Sequence, residues 1–169
     1  IYIFTRKLGI KVLLFTNATL ITPEIIELFS QIPPLQEIEV TVYGIKKKSY
    51  ESVSRIPGSY EASRRGIDRL LNATIPFVIK TIILPQNKSD MNSLKKWSLS
   101  LPSMNSELSM NTHLDLRCRK DIRNKNLKIK KLRMPPEEVL SRTIEKKNYI
   151  EEMKYFLTHF FTPPDAKLF

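Results

Sequence analysis

A single cysteine, Cys118, stands in 169 residues. That excludes an intrachain disulfide and any thiolate cage built by this chain alone. Histidine is almost as scarce: His113 and His159 have neither HxH nor HxxxH spacing, so the chain offers no metal-ligand set. Four glycines against 11 prolines leave few places for a phosphate-cradling turn, and neither GxGxxG nor GxxxxGK followed by Ser or Thr occurs. No apolar run nears the roughly 20 residues of a membrane helix, so no membrane partner is expected. The opening stretch from Ile1 to Gly9 is apolar for too short a span to be a signal peptide, and Arg6 and Lys7 lie on the wrong side of it. The scarcity of cysteine fits a reducing, cytoplasmic setting. A start without Met reads as a chain that begins inside something longer.

What is present is ordinary for a folded domain: 41% hydrophobic and 27% charged residues, at a length sufficient for one core. The net charge of +11 is localised. Between Arg117 and Arg133 nine lysines and arginines face a single acid, Asp121, which accounts for +8 of it. Without interleaved aromatics or a clean helical face, this basic segment reads as a solvated or partner-facing loop, and nucleic acid is not the expected partner.

The chain alternates short apolar runs with helical patterns. Residues 1–9 form a helix tail closed by Gly9. Strands are expected at residues 11–15, 38–44, 77–84 and 113–118, with residues 102–111 a loop. Thr22-Pro23-Glu24 supplies a cap, a proline at the first helical position and a first-turn acid. Further helices are expected at 49–54, from a Ser59 cap to Asn72, at 90–101, and from Pro135 to about Phe161. Strands separated by helices of this length predict parallel β/α units, and near-continuous apolar strands predict a sheet covered on both faces. The fold class is therefore α/β. Four strands are too few to close a barrel, and an open flavodoxin-like sheet is the alternative from pattern alone.

Ligands in parallel β/α proteins sit beyond the carboxyl ends of the strands. Here those ends read Thr16-Asn17, Tyr43-Gly44, Leu84 to Asn87, and Arg117 to Arg119. Each is polar or permissive where its strand is apolar, and each also serves simply to turn the chain. No carboxylate sits at a strand end, so no catalytic acid or base is singled out. Asp115 and Arg117 share a face of the fourth run, as a salt bridge or as a polar lining. Cys118 and Trp97 read as core, and His159 as an amphipathic helix position.

The stretch from Leu8 to Thr22, with Thr16-Asn17-Ala18-Thr19-Leu20-Ile21-Thr22 at its end, resembles a conserved-order segment of radical SAM enzymes, in particular the SPASM-type branch of peptide-modifying and sulfatase-maturing enzymes. Residues 38–44, Tyr50, Pro57-Gly58-Ser59-Tyr60, Gly66-Ile67, residues 75–87 and Arg133-Met134-Pro135-Pro136-Glu137-Glu138 continue that order at similar spacing. The resemblance implies a partial (β/α) barrel over residues 1–134 and a C-terminal helix over 135–169 that leads toward an extension. It implies S-adenosylmethionine and a [4Fe-4S] cluster as cofactors of the full-length family, and a peptide or protein substrate. The implied chemistry is reductive cleavage of SAM to a 5′-deoxyadenosyl radical and hydrogen abstraction from substrate. Carried over by position, Thr16 and Asn17 approach the SAM edge. Tyr43 stands where the family often has Ser, and Asn87 lies toward the adenosine. The family's CxxxCxxC and Gly-Gly-Glu-Pro-like motifs are absent from this chain, so a front segment that holds them is expected and the chain alone is expected to be inactive. The competing reading is a non-catalytic basic α/β binding module or degenerate remnant.

Overall fold

The computed structural model describes residues 1–104, 106–112, 114, 124–144 and 149–160. It falls into two compact units, Ile1–Arg133 and Met134–Phe169. The first opens with α1 (Tyr2–Lys7), whose end passes through Gly9 at φ +73, the left-handed region that glycine enters without a Cβ penalty. Then come β1 (Phe15–Thr16), α2 (Pro23–Gln31), β2 (Ile38–Thr41), α3 (Lys47–Ser54), α4 (Ser59–Asn72) and β3 (Phe77–Ile82). A 3-10 turn at Lys88–Asp90 leads into α5 (Met91–Leu99), followed by β4 (Ser109–Asn111) and α6 (Lys125–Leu132). In the second unit, α7 (Pro136–Ile144) carries Glu137 and Glu138 in its first turn and an Arg142–Glu138 ion pair of 3.2 Å. It is followed by α8 (Tyr149–Phe160).

All strand pairs are parallel, and their spatial order is their chain order, β1-β2-β3-β4. A doubly wound sheet needs a reversal in that order, and the described strands contain none. Burial alternates along β2 and β3. Ile38, Val40, Phe77, Ile79 and Thr81 are buried with Ile67, Leu70, Met91 and Leu94 of the helices. Glu39, Thr41, Val78 and Lys80 lie half-exposed on the other face, where Phe15 is 67% exposed. The expectation of a sheet covered on both faces is thus corrected: one face is packed and the other is open. The apolar composition of these runs hid the alternation because Phe15, Val78 and Ile82 put carbon on the open face as well. The charges there pair with each other, Lys80 Nζ to Glu39 Oε2 at 2.6 Å across neighbouring strands.

Three other expectations change. The first strand pairs only at Phe15–Thr16, although Leu14 extends it by accepting the Glu39 N–H at 2.9 Å. The fourth strand forms at Ser109–Asn111, inside the stretch read as a loop, and residues 113 and 115–118 lie outside the described residues. Within the basic segment, residues 125–132 are helical, while Asp115, Arg117, Arg119 and Cys118 fall outside the described residues. The long terminal helix is seen as α7 and α8, with residues 145–148 between them undescribed. Because β4 is short, the amide of Ile79 reaches no ladder carbonyl and donates to Met104 Sδ at 3.1 Å.

Thr22 caps α2 as expected, its hydroxyl accepting the Ile25 N–H at 3.4 Å. Ser59 does not cap α4; it is the first helical residue, after Gly58 at φ +81. Its hydroxyl bonds that of Ser54 at 2.7 Å, and the Glu51 carboxylate takes the Gly58 N–H at 2.7 Å.

Candidate functional site at the strand ends

The loop after β1 is held from inside and from behind. Thr16 Oγ1 accepts the Ala18 N–H at 3.0 Å, and Asn17 Oδ1 accepts from the Thr19 amide at 3.1 Å and hydroxyl at 2.7 Å. These bonds turn the chain sharply enough to place Ala18 at φ 62, in the left-handed region that costs an alanine roughly 1–2 kcal/mol. The buried face of α4 compensates. Ser63 donates to Asn17 O at 2.8 Å and Arg69 Nη1 to Ile21 O at 2.7 Å. Between them Gly66 lets the backbones close, for a Cβ built there falls 1.9 Å from Ala18 O. Asn17 itself is exposed, and its amide nitrogen makes no hydrogen bond among the described residues.

The loop after β2 is tied to the turn after β3. Asn87 is fully buried. Its Nδ2 donates to Tyr43 O at 2.6 Å and Ile82 O at 2.9 Å, and its Oδ1 accepts the Leu84 N–H at 2.8 Å. One side chain therefore satisfies backbone groups at both strand ends where their ladder stops. Three residues on, Asp90 Oδ2 accepts the Lys46 N–H at 3.1 Å and the Ser49 hydroxyl, and so caps α3, whose own N-cap residue Lys46 makes no side-chain cap. Gly44 fits beneath that carboxylate: a Cβ there would meet Ser49 Oγ at 2.7 Å and Asp90 Oδ2 at 3.2 Å.

Three tyrosines line the end of β2. Tyr43 is half-buried against Tyr50, with ring centroids 5.3 Å apart. Tyr50 meets Tyr60 edge to face at 5.8 Å, and the Tyr60 hydroxyl donates to Ile45 O at 2.9 Å. Tyr50 is 1% exposed and its hydroxyl completes no hydrogen bond among the described residues. Burial pushes its phenol above the ordinary value of 10.0, while Ser63 beside it pulls the other way and Tyr43 adds to the rise. A raised folded-state pKa gives stability that is complete below the unfolded value and lost as pH climbs through the folded one. Tyr50→Phe is accordingly expected to leave stability at neutral pH unchanged or raise it by about 1 kcal/mol, since an unsatisfied hydroxyl is removed. It should also blunt alkaline unfolding above pH 10 or so. Denaturant titrations across that range check both points; a large loss at neutral pH would show a bond to the Tyr50 hydroxyl.

The four residues expected to touch a ligand thus differ in what they offer. Asn17 and Tyr43 present side-chain surface at adjacent strand ends. The Thr16 hydroxyl shapes its own loop, and Asn87 holds backbone while exposing no surface. Sequence reasoning missed Asp90, Ser49, Ser63 and Arg69. For Ser63 and Arg69 the available signal was Gly66, a helix-interior glycine that costs about 1 kcal/mol relative to alanine and so marks a close approach. Trp97, expected in the core, is half-buried beneath Arg64, whose guanidinium lies 4.4 Å from the ring centroid.

Among the described residues there is no cluster of three or more His, Cys, Asp or Glu side chains able to hold a metal ion, and no helix long and apolar enough to cross a membrane. His159 stacks on Tyr155 at 3.9 Å, exposed on α8.

The chain is similar to two curated relatives. An AdoMet-dependent heme synthase of Methanosarcina barkeri is 32% identical over 83 residues, which is 49% of this chain and 24% of the relative. An AdoMet-dependent heme synthase of Nitratidesulfovibrio vulgaris is 30% identical over 88 residues, 52% of this chain and 24% of the relative. The matched stretch thus spans about a quarter of each. No family model and no solved structure matches the chain.

Proposed function

We propose that this chain is part of a radical SAM enzyme, a segment of barrel wall whose strand ends face the adenosyl part of SAM. The observation that carries the reading is the sequential parallel sheet with one open face, its ends polar at Asn17 and Tyr43. Similarity to two AdoMet-dependent heme synthases supports it. A peptide substrate and the SPASM-type branch have only motif order behind them.

The cluster and SAM fare differently against the residues present. A [4Fe-4S] cluster of this kind needs three thiolates from protein, and these 169 residues carry one cysteine, so they cannot hold it by themselves. The adenosyl group fits the chemistry of the ends: an exposed carboxamide at Asn17, a phenol at Tyr43 that can donate or accept, and the backbone beyond β3. When bound, SAM would supply hydrogen abstraction from substrate only after one-electron reduction, and the reductant would be a cluster held by residues other than those of this chain. This chain's part is to bind and orient. Asn17 hydrogen-bonds the ligand, Tyr43 contributes a ring face and a hydroxyl, and Asn87 fixes the spacing between the ends of β2 and β3.

Titration of the 15N-labelled chain with SAM, adenosine and methionine tests this. SAM and adenosine are expected to shift the amides of Asn17, Tyr43, Gly44 and Gln86, and methionine alone to shift none of them. Binding that leaves those amides unmoved, or no binding by either nucleoside compound, favours the non-catalytic module.

A further inference from the structure

The outer side of α6 carries Leu127, Lys128, Lys130 and Lys131 exposed, while Lys125, Asn126, Ile129 and Leu132 are half-buried. Leu127 is 55% exposed, with Lys130 and Lys131 three and four residues on, its neighbours on the helix surface. The helix has no acid in its first turn, and none of its lysines forms an ion pair among the described residues. Elsewhere Lys47, Lys80 and Lys95 each meet a glutamate, whereas Lys7, Lys11 and Lys48 form no ion pair among the described residues; α6 differs in holding three such lysines within four residues of one helix, beside an exposed leucine. Together with Asn124, the four outward residues border a hollow of about 510 Å³.

We infer that this face of α6 docks an acidic protein segment that carries an apolar side chain. Charge complementarity sets the sign of the partner: unpaired lysines in one patch repel one another until carboxylates are placed among them. The exposed leucine between them sets its kind. A phosphate backbone gains nothing from Leu127, and single-stranded nucleic acid binding relies on aromatic stacking, which Asn124 to Arg133 cannot supply. Insertion into an anionic membrane surface draws on a wider apolar face with aromatic or several leucine anchors, against one leucine here. A segment that alternates acids with an aliphatic residue meets both features: carboxylates on Lys128, Lys130 and Lys131, and the aliphatic group over Leu127.

Fluorescence anisotropy with the intact chain and three probes tests the assignment: a labelled peptide of repeating Glu-Glu-Leu, its Glu-Glu-Ser counterpart, and a single-stranded RNA of mixed sequence. The Glu-Glu-Leu peptide is expected to bind most tightly. The triple variant K128E/K130E/K131E should weaken it by about tenfold or more, whereas K7E/K11E/K48E, with the same change in net charge on exposed lysines elsewhere, should weaken it far less. Leu127→Ala should cut affinity for the Leu peptide and leave the Ser peptide unchanged. Circular dichroism confirms that the variants, all at exposed sites, retain the fold. Equal losses in both triple variants, indifference to Leu127→Ala, or tighter binding of RNA each overturn the proposal.

Discussion

Gly66→Ala is expected to destabilise the protein by about 3 kcal/mol or more, although alanine is the better helix former by about 1 kcal/mol. The added methyl carbon would sit 1.9 Å from a backbone oxygen, Ala18 O, and 3.1 Å from the Ala18 Cβ. A flexible side chain could swing clear; a carbonyl in a turn fixed by Thr16, Asn17 and Ser63 cannot. Either α4 withdraws from the loop and loses the Ser63 and Arg69 bonds, or the loop reopens and β1 loses its anchor. Adding Ala18→Gly to the variant should recover only part of the loss, because the oxygen remains. Urea unfolding reads the effect as a lower midpoint at unchanged slope. A variant as stable as the parent, or more so, would show that the two backbones do not meet as described.

Asn87 carries the second large effect. Asn87→Ala removes three hydrogen bonds at once and leaves the Tyr43 and Ile82 carbonyls and the Leu84 amide without their partner, for a loss of about 3 kcal/mol. The nearly isosteric Asn87→Asp separates shape from chemistry. It keeps the acceptor for Leu84 but sets carboxylate oxygen against two carbonyls in a fully buried position, so it should be no milder than alanine. If Asn87→Asp lies within about 0.5 kcal/mol of the parent, the clamp is not what joins the strand ends. Either variant should also move the amide resonances of Tyr43 and Gly44 on the neighbouring strand, an effect that generic loss of core packing would not confine to that loop.

These two positions also show how far the sequence could be read. Alternation of apolar runs with helical patterns was enough for β/α order and parallel pairing, because each crossover carries its own periodicity. Thr22-Pro23-Glu24 placed the start of α2 to the residue. The fourth strand escaped because Ser109-Met110-Asn111 has no β-branched or aromatic residue; it pairs because β3 offers Lys80, Thr81 and Ile82 as a ready edge. The four candidate ligand residues were legible by place, at the strand ends, but not by orientation. Whether an asparagine is exposed and bonds only its near neighbours, as Asn17 does, or is buried and reaches a second strand end, as Asn87 does, depends on a tertiary partner 44 residues away. Asp90 was illegible for the same reason, since its bond to Lys46 spans a similar separation.

A sheet whose spatial order is its chain order has a consequence for how the molecule is made. As the chain leaves the ribosome, β2 finds β1 already synthesised, and β3 finds β2; none of the described strands waits for a later one to be inserted beside it. Each loop to be closed holds one α-helix, or two between β2 and β3, and because closure cost grows only slowly with length the entropic costs differ little. Assembly can advance vectorially, one unit at a time. The Asn87 clamp closes the carboxyl end of the β2–β3 ladder only when the residues just past β3 have emerged.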